Sequence, residues 1–363
     1  MANPSTSTPT LTIGIDLGDR FSYYCVLDAD GAILEQSRLS TVPLAFVKRF
    51  GKTKPARIVI EAGTNSPWVA DCLEEAGHEV LVANAGKLRF IFMNDNKSDR
   101  EDAELLARVA RVDPLLLSPI QHRTKKTRAH LSILRARKCL VTSRTQLINH
   151  VRGSMKSFDI RLLKCSTPSF AKRMLEEIPE ELRPALVPLL TMIQTHSADI
   201  RKYERQLETL AKEQYPVTDL LRQVNGVGPL TSLAYILTLE DHRRFKDSRS
   251  VGAYLGLRPK RDQSGKHDPE LRITKAGDGN LRSMLVQSAQ YILGPFGKDS
   301  DLRTFGLAIA ARGSKVAKRK AVIAVARKLS VLLHSLWRTG EVYEPLRNTS
   351  PESATPAIVT AAS

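Results

Sequence analysis

The first 110 residues contain short apolar runs separated by turn residues, and this spacing predicts β-strands. Five runs have this character, at residues 11–16, 21–27, 32–39, 57–61 and 78–83. The first three follow one another closely enough to form a meander of β-hairpins. The fourth is a short, continuous apolar run that ends in a carboxylate, as a buried parallel strand would. Apolar residues at helical spacing predict helices over 42–50, over 98–112, and from Ser66, as the cap, to Gly77.

This order of elements predicts an α/β domain of the ribonuclease-H-like type. From about residue 116 to residue 214 there is almost no strand signal, and helical periodicity appears over 131–155 and 197–214. Four prolines are expected to break the stretch between these helices: Pro168, Pro179, Pro184 and Pro188. Long paired helices, coiled around each other and able to span subunits, are therefore expected. A third unit follows from residue 216 to about 346, before a disordered tail rich in Ser, Thr, Ala and Pro.

Composition narrows the class of protein. The chain has 363 residues and is 42% hydrophobic, which suits two or three folded units. It has neither an apolar run of roughly 18 residues nor a recognisable signal peptide, so we expect no membrane association. The four cysteines are far apart and include no CxxC pair, which argues against a zinc site and a disulfide framework. We expect a cytoplasmic protein with a polyanionic partner.

The net charge of +17 is concentrated in the later part of the chain. Residues 1–110 carry a net charge of −3 and residues 111–363 carry +20. Between Arg111 and Lys164 there are 13 basic residues and only two acids, and the run 312–328 has seven basic residues and no acid. A single run of this kind is usually a solvated helix face, but two runs with a large overall charge favour binding to nucleic-acid phosphates.

Four carboxylates form the candidate catalytic set. Asp16 ends the first strand and Glu61 ends the fourth, and in a ribonuclease-H-like sheet these strands are parallel neighbours. Asp99 and Asp102 are spaced i, i+3 on one helix face and can lean over the same edge. Converging carboxylates repel one another unless divalent cations neutralise them, and two such cations about 3.5–4 Å apart commonly catalyse phosphoryl transfer. Each acid alone is more often a surface charge or a helix cap.

The sequence Ile-Gly-Ile-Asp-Leu-Gly at 13–18 has a rival interpretation, because it resembles the first phosphate loop of the actin-like ATPases. Those proteins need a second Gly-rich loop after a later hairpin. The sequence has no such loop, so the ATPase hypothesis is disfavoured.

A Gly-Val-Gly turn at Gly226–Gly228, followed by Pro229, predicts two helices joined as in helix-hairpin-helix modules, whose backbone N–H groups face a DNA phosphate. The alternative is a plain helix–helix turn that needs glycine for positive φ. Further on, Ser264 lies in a loop rich in Arg and Lys. A serine there can attack a phosphodiester while basic groups stabilise the developing charge, although an ordinary loop serine is the simpler interpretation. No histidine is an obvious base, but His267 is close in sequence.

These separated motifs together resemble one family. They are Asp16, Glu61, the Lys-Ser-Asp-Arg-Glu-Asp run at 97–102, Gly226–Gly228, the Ser-Gly-Lys run at 264–266 and the segment 274–282. Over roughly residues 10–345 the chain is similar to the DEDD insertion-sequence transposases related to the Piv and MooV DNA invertases, described as bridge-RNA-guided recombinases. Many members have Ser-Ser-Gly-Gly-Lys where this chain has Gln263-Ser-Gly-Lys266, so its loop is shorter and has one serine.

The resemblance implies Mg²⁺ (Mn²⁺ as substitute) held by Asp16, Glu61, Asp99 and Asp102, and a nucleophilic Ser264 that forms a 5′-phosphoserine link to DNA. It implies donor and target double-stranded DNA, a structured bridge RNA, dimers assembling to a tetramer with composite active sites, and a bacterial, nucleoid-associated location. The implied organisation is a disordered N-terminus (1–10), a RuvC-like domain (11–115, extending to about 160 in the family), a helical coiled-coil segment (116–215), a mostly α-helical transposase domain with the catalytic serine (216–346) and a disordered tail (347–363).

The candidate nucleic-acid-binding residues are Lys125, Lys126, Arg128, Arg135, Arg137, Lys138, Arg144, Arg152, Gly226, Gly228, Arg258, Lys260, Arg261, Lys266, Lys275, Arg282, Lys318, Arg319 and Lys320. Two other functions stay open at this stage. One is a RuvC-like nuclease or junction resolvase that uses metal-activated water and no serine. The other is a non-catalytic nucleic-acid-binding protein whose acids are structural.

Overall fold

A computed structural model describes residues 10–87, 98–162, 165–264, 268–269 and 271–348. The chain divides into two compact units, residues 1–124 and 125–363. The three-part organisation expected from the sequence stays a prediction.

The first unit contains a mixed five-stranded sheet. Its strands are β1 (Thr12–Leu17), β2 (Phe21–Leu27), β3 (Ile33–Ser40), β4 (Arg57–Glu61) and β5 (Glu79–Ala83). Their spatial order is β3-β2-β1-β4-β5. The first three pair antiparallel as the expected meander, and β4 pairs parallel with both β1 and β5. A mixed sheet in an N-terminal α/β unit, followed by a helical region, is compatible with the predicted ribonuclease-H-like fold.

Helices cover both faces of this sheet. They are α1 (Pro43–Phe50), α2 (Ser66–Glu75) and α3 (Asp99–Val112). On one face Phe46 and Phe50 pack with Ile13 and Ile15, since alternate residues of β1 point to the same side. On the other face lies α3. A Cβ on Gly14 would lie under 3.0 Å from the Ala103 carbonyl oxygen, so α3 rests directly on the β1 backbone.

The second unit is mostly helical in its described residues. Its helices are α4 (Lys125–Ser157), α5 (Phe170–Glu177), α6 (Arg183–Gln214), α7 (Val217–Arg222), α8 (Pro229–Leu239), α9 (Arg249–Tyr254), α10 (Gly279–Leu293), α11 (Asp301–Ala310) and α12 (Lys315–Thr339). Helix α8 is buried from Ser232 to Leu239. Its Tyr235 hydroxyl donates to the Ser330 carbonyl oxygen at 2.6 Å. Helix α8 is therefore the centre of this unit's core.

The long helices α4 and α6 form an antiparallel pair. Ser143 lies 3.1 Å from His196, Arg144 lies 3.1 Å from Ser197, and Arg137 forms an ion pair with Glu204. Apolar side chains join the pair toward its ends, but no residue of α4 between Leu134 and Ile148 is buried. The long paired helices expected from the sequence are present, with a polar middle in place of a continuous apolar seam.

The expectation that all four prolines break the helical stretch is wrong for Pro188, whereas Pro184 lies where α6 begins. Pro184 lies in the first turn of α6 and Pro188 lies inside it. The fixed φ of proline suits the first turn, and a proline there removes an N–H that has no partner within the helix. Pro188 lies between Leu186 and Leu190, which are both buried. The packing of these and the other buried residues of α6 keeps the helix continuous through the proline. No helix in the described ranges is long and apolar enough to cross a membrane.

Candidate functional site

Asp16 and Glu61 lie at the carboxyl edge of the first unit's sheet. Strands β1 and β4 pair in parallel with Ile15 opposite Ile60, so the next residues along the two strands are Asp16 and Glu61. Both acids are half-buried, and both make further interactions. The register therefore places the two carboxylates side by side, as parallel strands require of residues that follow a matched pair.

Asp99 and Asp102 lie in the first turn of α3, which begins after Ser98. The Ser98 hydroxyl accepts a hydrogen bond from the Glu101 N–H at 3.3 Å and so caps the helix. Asp102 is half-buried and precedes Ala103, whose carbonyl lies against Gly14 of β1, whereas Asp99 is exposed. The packing of α3 on β1 thus brings the Asp102 turn over the strand that carries Asp16.

The donor set suits a hard divalent cation, because all four candidates supply carboxylate oxygens. Asp16 and Glu61 fit such an ion by their adjacent positions. Within the described residues, however, no group of three or more acids, histidines or cysteines is close enough to hold a metal ion. The structure places Asp16 and Glu61 on adjacent strand ends, and within the described residues neither Asp99 nor Asp102 joins them in a group of three.

A hydrogen-bond network that periodicity does not reveal joins the turns that follow these strands. The Asn65 Nδ2 group donates to the Gly18 carbonyl at 3.4 Å, and the Trp68 indole N–H donates to Asn65 Oδ1 at 3.2 Å. Ser66 Oγ lies 3.0 Å from His122 Nε2. Ser66 is the first residue of α2 rather than its cap, and Asn65 occupies the cap position. The Asn-Ser pair before an apolar helix was the available sequence signal.

In the second unit Ser264 is exposed on a hairpin. The two arms are joined by a hydrogen bond from the Lys260 N–H to the Arg272 carbonyl and another from the Thr274 N–H to the Arg258 carbonyl, both at 2.9 Å. Arg258, Lys260 and Arg261 are exposed, and Arg261 lies 3.5 Å from Asp268. Lys266 and His267 lie outside the described residues.

The base of this hairpin is tightly packed. Gly256 and Gly277 have φ values of +68° and +69°, and a Cβ on either would lie under 3.0 Å from backbone atoms of the other arm. Arg282 Nη1 donates to the carbonyls of Leu255 at 3.0 Å and Ala276 at 2.7 Å. Arg282, predicted to bind nucleic acid, therefore ties together the two segments that meet at this base.

The Gly226–Gly228 turn joins α7 to α8, as the sequence predicts. Gly226 has φ +88°, and Gly228 immediately precedes the first residue of α8. The turn borders an open cavity of about 400 Å³ that Tyr291 also lines. Since Pro229 lacks an N–H, the amides of the following residues are the helix N-terminal donors that an anion would meet.

Most of the predicted basic residues are exposed. They are Lys125, Lys126, Arg135, Lys138, Arg152, Arg258, Lys260, Arg261, Lys275, Lys318, Arg319 and Lys320. Arg128 is half-buried, as are Arg137 and Arg144, which bind Glu204 and Ser197 within the helix pair. Burial and the neighbouring Arg137 lower the pKa of Arg144.

Two regions of the chain match known transposase families. Residues 13–159 match a transposase family of the DEDD, IS110 type, and residues 218–300 match the transposase IS116/IS110/IS902 family. These matches, on a mixed α/β unit followed by a helical unit, identify the chain as a DEDD-type transposase.

Similar curated proteins agree with this class. The chain is 26% identical to the transposase for insertion sequence element IS1111A of Coxiella burnetii, over 91% of this chain and 90% of the relative. It is 30% identical to the transposase for IS1328 of Yersinia enterocolitica, over 78% and 84%, and 30% identical to the putative transposase y4pF/y4sB of Sinorhizobium fredii, over 82% and 76%. The chain belongs to the IS110/IS116/IS902 family of insertion-sequence transposases.

Proposed function

We propose that this transposase cuts and rejoins DNA at the ends of its insertion sequence through a covalent bond between Ser264 and a 5′-phosphate. The observation that carries this proposal is the exposure of Ser264 on a hairpin that is fixed at its base and bordered by Arg258, Lys260 and Arg261. An accessible hydroxyl beside several cations suits attack on a phosphodiester, whose charge increases in the transition state. The resemblance to the serine-using invertase relatives supports the same step.

In this mechanism the Ser264 oxygen attacks the phosphorus, an Oγ–P bond forms and the bond from phosphorus to the 3′-oxygen breaks. The serine proton is transferred overall to the departing 3′-oxygen, which leaves as a 3′-hydroxyl. One phosphodiester replaces another, so the reverse attack by a 3′-hydroxyl releases Ser264 and joins strands without ATP. Arg258 and Lys260 stabilise the negative charge as the phosphorus becomes five-coordinate.

The acids would hold divalent metal in the first unit, with Asp16 and Glu61 as the central pair and Asp102 and Asp99 completing the set. Mg²⁺, or Mn²⁺ in its place, supplies Lewis-acid stabilisation of phosphate oxygens when bound. The pairing register of β1 and β4 positions Asp16 and Glu61, and the Ser98 cap fixes the first turn of α3, which carries Asp99 and Asp102. Following the resemblance, we propose that acids and serine from different subunits act on one phosphate, within dimers that assemble to a tetramer.

The exposed cations of α4 and α12 are proposed to bind donor DNA, target DNA and a structured guide RNA. Their side chains face solvent, where phosphate contacts release counterions. The Gly226–Gly228 turn is proposed to bind a phosphate through the α8 N-terminus, as in helix-hairpin-helix modules. We also propose that the α4–α6 pair forms a coiled coil that spans subunits. The proposed location of the protein is the bacterial nucleoid.

The test is a covalent adduct assay with labelled donor DNA. Ser264→Ala is expected to abolish the protein–DNA adduct and keep nucleic-acid binding, while the matched control Ser283→Ala, at another exposed serine, keeps both. Free 5′-phosphate ends with undiminished cleavage in Ser264→Ala would instead establish a RuvC-like nuclease that uses water. Co-purified RNA that maps beside the gene would support the guide, and only random fragments would oppose it.

A further inference from the structure

Two turns follow the paired acids, and a single side chain bridges them. Gly18 comes two residues after Asp16, and Asn65 comes four residues after Glu61. The Asn65 Nδ2 group donates to the Gly18 carbonyl at 3.4 Å, so a hydrogen bond runs from the β4–α2 turn to the β1–β2 turn. This bond joins the two strands just beyond the point where their backbone ladder ends.

The orientation of the Asn65 amide is determined by its second partner. The Trp68 indole N–H lies 3.2 Å from Asn65 Oδ1, and an indole can only donate. If the amide flipped, its NH₂ group would face the indole N–H and its oxygen would face the Gly18 carbonyl, which leaves two unfavourable pairs. Trp68 is itself held edge-on against Phe46, with ring centroids 5.4 Å apart. Asn65 is therefore fixed with its donor toward Gly18.

The same turn is held from a second side by Ser66. The Ser66 hydroxyl donates to the Gly63 carbonyl at 2.8 Å and accepts from the Gly63 N–H at 3.0 Å. Its only proton is then used, so His122 Nε2, 3.0 Å away, must be the donor in their hydrogen bond. His122 lies two residues after Ile120, whose N–H donates to the Val82 carbonyl of β5 at 2.8 Å. The turn after Glu61 is thus anchored to both neighbouring strands.

We propose that Asn65, oriented by Trp68, is a positioning residue that sets the separation of the Asp16 and Glu61 carboxylates and thereby the affinity of this edge for a divalent cation. Asn65 is not itself a ligand in this proposal. Outer-shell partners that orient metal ligands commonly change metal affinity 10–100-fold when they are removed. The proposal rests on the metal-binding part of the proposed function.

Mn²⁺ binding to the full-length chain, followed by the electron paramagnetic resonance signal of free Mn²⁺, tests the proposal without a need for DNA cleavage. Asn65→Leu keeps the branched side-chain skeleton and removes both hydrogen bonds, and we expect its dissociation constant for Mn²⁺ to rise about tenfold. Trp68→Phe keeps an aromatic ring against Phe46 but removes the N–H together with part of the indole, and a smaller rise is expected because Asn65 keeps its bond to Gly18. The matched control Trp337→Phe, in the second unit, leaves Mn²⁺ binding unchanged.

Asp16→Asn distinguishes failure of this inference from failure of the proposed function. Wild-type Mn²⁺ affinity in Trp68→Phe and in folded Asn65→Leu, with affinity lost in Asp16→Asn, overturns the positioning role alone. Wild-type affinity in Asp16→Asn overturns the proposed metal site itself. If circular dichroism shows that Asn65→Leu does not fold, Trp68→Phe decides the question, because it retains the packed ring.

Discussion

Gly14 of β1 and Ala103 of α3 are in direct backbone contact. A Cβ at position 14 would lie under 3.0 Å from the Ala103 carbonyl oxygen and 2.5 Å from the Ala107 nitrogen. Asp102 is the neighbour of Ala103, and Asp16 lies two residues beyond Gly14. This contact therefore also sets the distance between Asp102 on α3 and Asp16 on β1. The placement of Asp102 near the strand that carries Asp16 therefore requires glycine at position 14.

Gly14→Ala is expected to lower the free energy of unfolding by about 1–3 kcal/mol, because backbone atoms cannot yield as a flexible side chain can. It should also weaken Mn²⁺ binding through displacement of Asp102. Urea unfolding and Mn²⁺ titration measure the two effects. Gly153→Ala is the control: nothing lies within 4 Å of its Cβ position, and alanine in the α4 helix should stabilise it slightly. Equal stability of the two variants would contradict the contact.

Arg282→Lys is expected to reduce formation of the Ser264 adduct about tenfold or more, because lysine keeps the charge but cannot reproduce the guanidinium bonds to Leu255 and Ala276. The salt dependence of DNA binding should stay unchanged, since no charge is lost. The adduct assay and binding titrations at several salt concentrations separate these effects. Wild-type adduct formation in Arg282→Lys would show that the hairpin base does not need this anchor.

Lys318→Gln combined with Arg319→Gln is expected to weaken nucleic-acid binding and to lower the slope of log K against log salt by up to about 0.9 per lost phosphate contact. Both side chains are exposed on α12, so the fold should be unaffected. Filter binding at 50–200 mM salt measures the slope. An unchanged slope would remove this face of α12 from the nucleic-acid surface.

Stability should fall as the pH falls below about 6.5, the ordinary pKa of histidine, in part because of His334. Its side chain is fully buried, lies 2.9 Å from the Ser248 hydroxyl and donates from Nε2 to the His242 carbonyl at 3.1 Å. Burial lowers its pKa, so the unfolded state takes up the proton first and acid favours unfolding. The stabilisation that neutral His334 contributes is fully present above the pKa of the unfolded state. It is lost as the pH falls from there through the pKa of the folded state.

Urea unfolding at pH 7.5 and 5.5 measures this effect, and His334→Gln should show a smaller loss than the native chain. The exposed His150, changed to Gln, serves as the control and should leave the pH dependence as it is. His130 also has a pKa lowered by burial, so part of the native slope will remain in His334→Gln. An identical slope in His334→Gln and the native chain would remove His334 from this linkage.

The sheet was accessible from the sequence because strand periodicity is local. The hairpins before Ser40 and the parallel placing of Arg57–Glu61 follow from run length, turn residues and lack of alternation, and the register confirms them. The bond from Asn65 to Gly18 was not accessible, since periodicity identifies a buried face and not the partner 47 residues away. Pro188 was misjudged because tertiary packing along α6 outweighs the local cost of proline.

The close packing of the two segments that carry Gly256 and Gly277 has a consequence for the evolution of insertion sequences. Both positions combine a left-handed backbone with no space for a side chain, so a single nucleotide change that replaces either glycine deforms the arm that presents Ser264. Insertion sequences accumulate as copies in a genome, and copies escape selection once they stop moving. We therefore expect these two codons to mark decay, because replacement of either glycine should disturb the hairpin even in a copy whose acids and serine are intact.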